Sequence, residues 1–342
     1  MVDWEDFTKK FQSLPAYFPS DDDELMHTYE GILFLKVTPA SSLREIKVLE
    51  VRQDDLFLIS YPKAGTTWMQ QIISMILKET GKDDSNDAEH THLFFKFPFL
   101  EMSWVKHYSQ LDLLPPTHRL LDHVPSPRTI KTHLPSAMLP KQLFDKKPKV
   151  IYIARNPKDL AVSYFHMHQK DITLKTYKDW ESFIEDFITG NIDYGSWFDH
   201  TLFWWNRRHE ENVLFMKYED MQHVSKQDLH DAINKVANFL GANLTVAMTT
   251  HIAEQCSFNS MKKNRNCNPD TLGFMDSDPN KPKQQPEQTV DGATSDEPQA
   301  MFMRKGKIGD WKNYFSDEQS SRLDAQYKVK MEGSGLTFDF GE

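Results

Sequence analysis

Residues 56–77 pass from an unbroken apolar run, LFLIS, through a tight YPKAG stretch into TTWMQQIISMIL. An apolar run without alternation is buried on both faces, as strands of parallel sheets are. Pro62 closes it. Beyond Gly65 the apolar residues Trp68, Ile72, Ile73, Met75, Ile76 and Leu77 fall near helical spacing, and Gly81 stops the pattern. Strand, turn and helix form one unit of a wound α/β sheet, and this unit constrains the rest of the chain.

Two further apolar runs, KVIYIARNP (149–157) and NVLFMKYED (212–220), read as central strands, and RTIKTH (128–133) as a shorter one. DLAVSYFHMHQK and DLHDAINKVANFLGA read as the helices that follow, the second ended by Gly241. Residues 1–54 carry polar and acidic clusters among scattered aromatics, and a short helix and a hairpin outside the sheet are expected there. Residues 276–300 hold almost no large apolar side chain. They are expected to form a mobile insertion or lid, because such a composition buries no core.

Open α/β sheets bind ligands beyond the C-terminal ends of their strands. In YPKAGTTW, Gly65 permits close backbone approach. The free N–H groups of Gly65, Thr66 and Thr67 point out of a helix start, and Lys63 adds a full positive charge. This is a phosphate cradle with the lysine before the glycine, the reverse of the nucleoside-triphosphate loop. The next strand ends in Arg155, which suits a metal-free anion better than a magnesium nucleotide. The acidic pair Glu219–Asp220 leaves a magnesium-dependent kinase as an alternative. No His or Cys cluster has metal-ligand spacing.

Net charge is −10, so the surface as a whole repels nucleic acid and anionic membrane, and any anion site is a local exception. Two cysteines, no basic leader and no membrane-length apolar stretch fit a soluble cytoplasmic protein.

YPKAGTTW, RNPKDLAVSY and RKGKIGDWKNYF, in that order, resemble the signatures of the cytosolic sulfotransferase family, with TYEGILF and IKTHLP as supporting segments. The resemblance runs from about residue 30 to the C-terminus. It implies a single α/β domain over residues 1–342 with a central parallel sheet flanked by helices, similar to P-loop kinases. It also implies 3′-phosphoadenosine 5′-phosphosulfate (PAPS) as co-substrate, PAP as product, no metal, and a small-molecule acceptor such as a phenol, sterol or alcohol.

By that resemblance Lys63, Ala64, Gly65, Thr66, Thr67 and Trp68 form the 5′-phosphosulfate loop, with Lys63 on the bridging oxygen and Trp68 against adenine. Ala64 stands where the family usually has serine. Arg155 and Ser163 match the 3′-phosphate contacts, joined by Arg304, Lys305 and Gly306. Tyr218, Cys256, Ser257, Phe258 and Met261 match the adenine side, with Cys256 in place of threonine. His133 matches the catalytic base, a role that imidazole suits, and Lys131 matches a group that neutralises the sulfuryl oxygens. Asp171 falls near the acceptor pocket, and HLFFKFPFLEMSW (92–104) reads as its apolar wall. The family's dimer segment is altered here: Lys312 is followed by Ser316, Asp317 and Ser321. A non-catalytic nucleotide-binding protein, supported by Ala64 and Cys256 alone, is the remaining alternative.

Overall fold

The computed structural model describes residues 26–82, 92–103, 116–171, 174–222, 226–267 and 303–341. The 276–300 segment and Trp104 lie outside the described residues. The first elements are an antiparallel hairpin, β1 (Met26–Tyr29) and β2 (Ile32–Leu35), turned by Glu30 and Gly31 at positive φ, then helix α1 (Ala40–Lys47). As expected, both stand outside the main sheet.

The main sheet holds β3 (Leu56–Ser60), β4 (Thr129–Thr132), β5 (Lys149–Ala154) and β6 (Val213–Lys217), all parallel, in the order β4-β3-β5-β6. Among the described strands β6 is therefore an edge, not the central strand its unbroken apolar run suggests. That run is explained by cover from other elements: Phe215 packs on Tyr152 and Trp205, and the Lys217 ammonium donates to the carbonyl of Thr337.

Successive strand residues serve opposite faces. Phe57, Ile59, Tyr152 and Phe215 enter one apolar cluster, and Leu58, Ile151, Ile153 and Met216 enter another. Helix α2 (Thr66–Glu79) covers the second face with Met69, Ile72, Ile73 and Ile76, each fully buried and each contributing about 1.5–3 kcal/mol. Helix α3 (Pro157–Lys170) starts two residues earlier than the sequence suggests. Asn156 caps it by accepting the Asp159 N–H, and Pro157 occupies the first turn, where no N–H is needed. The remaining helices of eight or more residues are α4 (Trp180–Thr189), α5 (Trp197–Trp205), α6 (Lys226–Phe239), α7 (Val246–Gln255) and α8 (Asp317–Met331).

The stretch after Trp311, with Lys312, Ser316 and Asp317, leads into α8. Ser316 and Gln319 form a reciprocal capping box there, and Lys312 donates to the carbonyl of Gly341. Among the described residues no helix is long and apolar enough to cross a membrane.

Candidate active site

Every strand of the main sheet hands over to a candidate residue just past its C-terminal end: the 63–68 turn after β3, His133 after β4, Arg155 after β5 and Tyr218 after β6. Parallel register brings these ends together, because Ile59 pairs with Thr132, Ser60 with Ile153 and Ala154 with Lys217. One cleft runs over them.

The turn is built by left-handed backbone. Lys63 has φ 66° and Gly65 φ 109°, and Gly65 caps α2 without any side-chain hydrogen bond, so the first amides of α2 are left to face the cleft. A lysine in this region is uncommon and costs strain of the kind that functional loops retain. Ala64 is fully buried in the core cluster, and its N–H donates to the Tyr61 carbonyl at 3.2 Å. It therefore shapes the cradle from behind and offers neither side chain nor amide to the cleft, unlike its five loop neighbours, which all line it. The missing hydroxyl at this position falls on the core side.

Trp68 lines the cleft with its indole N–H on the Cys256 carbonyl at 2.8 Å and its ring edge-on to Tyr218. Cys256, Phe258 and Met261 line the same wall. Burial pushes the Cys256 thiol well above its usual range. Ser257 does not line the cleft. Its hydroxyl caps the short helix Phe258–Lys263 and bonds Ser260 at 2.7 Å.

Arg155 is buried, with its guanidinium 4.4 Å above the Tyr218 ring and long hydrogen bonds to the carbonyls of Lys63 and Lys307. Ser163, two turns into α3, faces the same volume. Arg304, Lys305, Gly306 and Lys307 complete this end. Gly306, at φ 63°, leaves room that a β-carbon would take from Phe258, 2.5 Å away.

The second and third signatures are held together by Asp159, which accepts the N–H groups of Gly309 (2.8 Å) and Trp311 (3.0 Å). Arg304 and Lys305 both donate to Asp310, at 2.5 and 2.9 Å. Burial would raise the Asp310 carboxyl, but these two cations hold it down to about 2. Arg304 Nε and Nη1 are buried and have no hydrogen-bond partner among the described residues. Two orphaned, positively charged donors are costly unless an anion meets them, so the residues present fit a phosphate-bearing ligand.

At the other end His133 is oriented by its neighbours. Its Nδ1 lies 2.7 Å from the Ser60 carbonyl oxygen, which only accepts, so Nδ1 carries the proton and Nε2 keeps a lone pair. His200 Nε2 donates to the His133 carbonyl at 3.1 Å, while His200 Nδ1 accepts from the Tyr152 hydroxyl at 2.8 Å. Burial first, then the Lys131 charge, pushes His133 down to about 3. Burial likewise pushes Lys131 down to about 8. The Lys131 ammonium stands 4.3 Å over the Phe99 ring. Ser60 also links base and cradle, since its hydroxyl reaches Thr66 Oγ1 at 2.7 Å and His133 Nδ1 at 3.2 Å.

The outer walls are apolar, with Leu35, Val37, Phe94, Met102, Met167 and Leu174, and Asp171 lines the cleft among them. The apolar 92–103 stretch thus supplies Phe94, Phe99 and Met102 to this wall.

The carboxylates that kept a magnesium site in play are elsewhere. Glu219 is buried on Asn156, accepting its backbone N–H at 2.7 Å, and Asp220 pairs with Lys217 at the surface. Neither lines the cleft. Among the described residues no group of three His, Cys, Asp or Glu side chains is placed to hold a metal ion.

Sequence reasoning passed over Lys307 and Asp193, which line the cleft, and Glu101, Ser60 and His200, which hydrogen-bond to His133. Only Glu101 left a signal, as the one acid inside the apolar run FKFPFLEMSW.

The sulfotransferase-domain family profile matches residues 53–335. Sulfotransferase 1A1 of Canis lupus familiaris is 37% identical over 309 residues, covering 90% of this chain and 94% of that one. Sulfotransferase 1B1 of the same species is 36% identical over 324 residues, covering 95% and 98%. Among solved structures, mouse sulfotransferase SULT7A1 complexed with PAP is similar at a TM-score of 0.68 and 32% identity, covering 91% of this chain and 95% of that one. Retinol dehydratase in complex with androsterone and inactive cofactor PAP is similar at a TM-score of 0.73 and 25% identity, covering 91% and 90%.

Proposed function

The chain belongs to the sulfotransferase family, and from that premise we propose that it moves the sulfuryl group of PAPS to a hydroxyl or amine of an apolar small molecule, with His133 as general base. We read the chain as one such domain acting in the cytoplasm. The observation that carries this reading is the join between the two halves of the cleft: Ser60 touches both the cradle threonine and the imidazole.

PAPS supplies a sulfuryl group whose S–O bond to phosphate breaks as the acceptor oxygen bonds to sulfur, releasing PAP. The 63–68 loop holds the phosphosulfate end, with the exposed amides of α2 and the Lys63 ammonium against charge developing on the leaving phosphate. Arg155, Ser163 and the orphaned donors of Arg304 hold the 3′-phosphate. Gly306 and its lysine neighbours line the same end and would hold the same group, and Trp68, Tyr218 and Phe258 line the wall that would take adenine. Nε2 of His133, unprotonated in the tautomer that Ser60 enforces, takes the acceptor proton. Lys131 neutralises the sulfuryl oxygens in transit.

Burial and the nearby cations hold His133 at about 3, which is too weak a base for this step. The lysines are part of the cause, so an anionic co-substrate beside Lys63 and Lys131 offsets them and raises it. The acceptor walls of leucine, valine, phenylalanine and methionine support a hydrophobic ring or chain. The androsterone bound to the related dehydratase supports the same class.

The test is transfer of labelled sulfuryl from PAPS across phenols, sterols, aliphatic alcohols and amines, with magnesium ATP as the contrasting donor. Incorporation from PAPS without ATP turnover is expected. No transfer to any acceptor, together with no PAP binding, would overturn the assignment.

A further inference from the structure

Glu101 is a wholly buried carboxylate lodged against the reacting end of β4. The chain before it runs beside β4 as an added parallel bridge. Phe99 pairs with Lys131, the Lys131 N–H donates to the Pro98 carbonyl at 3.0 Å, and the Leu100 N–H donates to the Lys131 carbonyl at 2.9 Å. This register delivers both Glu101 oxygens to the strand end. Oε1 accepts the His133 backbone N–H and Oε2 accepts the Thr132 hydroxyl, each at 2.7 Å. Thr132 Oγ1 in turn accepts the Leu134 N–H at 3.0 Å. One carboxylate therefore holds the two residues that follow Lys131 and end at the imidazole.

A buried carboxylate is retained at a cost unless its charge is used. Burial pushes Glu101 up to about 7, against the His133 and Thr132 hydrogen bonds. Burial also pushes Lys131 down, and the Glu101 charge opposes that change. The other titratable groups felt here are Tyr194, which senses Glu101, and Lys63 and His200, whose charges lower His133.

We propose that Glu101 is a positioning residue for sulfuryl transfer, fixing His133 through its backbone N–H and keeping the neighbouring Lys131 ammonium charged inside the cleft. This rests on the sulfotransferase reading above. Removing the negative charge favours neutral Lys131, so the activity that depends on its cation is lost at a lower pH as pH rises.

The test is the kcat–pH profile of wild type and Glu101→Gln with PAPS and a phenolic acceptor, alongside PAP affinity and thermal unfolding. Glu101→Gln keeps the shape, removes the charge and replaces one of the two acceptor oxygens with an N–H donor. Its kcat is expected to fall about 10- to 100-fold, the equivalent of a charged hydrogen bond. Its alkaline limb should move to lower pH by at least half a unit, with PAP affinity within twofold of wild type. An unmoved limb, or PAP affinity lost in step with kcat, overturns the proposal, because a merely structural carboxylate would act that way.

If the glutamine variant does not fold, Glu101→Asp decides. It keeps the charge but is one methylene too short for both partners. An unmoved limb with kcat down about tenfold and PAP affinity intact is expected, and wild-type kcat or weakened PAP binding overturns the idea. Absent transfer by the wild-type protein would instead count against the sulfotransferase assignment itself.

Discussion

A β-carbon on Gly65 would stand 2.7 Å from Cδ2 of Tyr218, inside any real carbon–carbon contact. The cradle backbone and the ring beneath Arg155 are thus fitted to one another, and Gly65 also sits at φ 109°, where side chains are strained. Gly65→Ala is expected to cost roughly 1–3 kcal/mol of stability and to weaken PAP binding at least tenfold by displacing Tyr218. Denaturant unfolding and calorimetric titration with PAP measure both. Unchanged PAP affinity would mean that the Gly65–Tyr218 contact has no part in the donor site.

His133→Ala should lower kcat by about 10²–10⁴-fold, the usual loss on removing a general base, while PAP affinity stays near wild type. The imidazole packs edge-on to Phe99 and Tyr194, and its Nδ1 donates to the Ser60 carbonyl. Near-normal turnover would remove His133 from the chemistry.

The tautomer is open to direct observation. With Nδ1 protonated on the Ser60 carbonyl, nitrogen-15 spectra of the free protein should show His133 neutral, with an unprotonated Nε2, down to about pH 4. PAP should move its protonation to higher pH, because the phosphates offset Lys63 and Lys131, whose charges help hold it down. A PAP-independent titration, or the opposite tautomer, would contradict this account of how the base is activated.

Arg155→Ala removes a buried guanidinium at the end of β5. The expected loss in PAP affinity is roughly 10- to 100-fold, from about 1.5–3 kcal/mol for a charge-assisted contact. The penalty should shrink for a ligand without the 3′-phosphate. Equal losses for both ligands would place Arg155 outside the phosphate subsite.

Much of this site was legible because each motif combines a backbone demand with a charge. In the 63–68 turn the glycine, the lysine and the helix start are adjacent in sequence, and they stay adjacent in space. Arg155 and Ser163 were legible together because a strand end and two helical turns carry both to one volume.

Long-range partners were not legible. Nothing local in FLEM indicates that Glu101 meets His133, since that contact depends on the Phe99–Lys131 bridge. Ala64 and Ser257 show the converse limit. Each lies inside a matching motif, yet the turn points the Ala64 side chain into the core and the helix start claims the Ser257 hydroxyl. The edge position of β6 was hidden because packed aromatics make an edge strand as apolar as a central one.

The opposite end of the sheet separates stability from function. Asp55, just before β3, and Arg128, just before β4, are both buried and joined by two hydrogen bonds of 2.7 and 2.5 Å. Arg128 also donates to the carbonyls of Leu121 and Glu50, and Asp55 accepts the Arg52 N–H. This pair ties the N-terminal ends of two strands whose C-terminal ends carry Ser60 and the residue before His133. Asp55→Ala leaves a buried guanidinium without its counter-charge, a loss of about 3–5 kcal/mol when one partner of such a pair is removed. Asp55 does not line the cleft, and the four paired strands hold the cleft end in register. Well below the melting temperature, the variant should therefore keep wild-type PAP affinity and kcat while its urea midpoint falls. If PAP affinity fell in proportion to stability at that temperature, the two ends of the sheet would not be energetically separate.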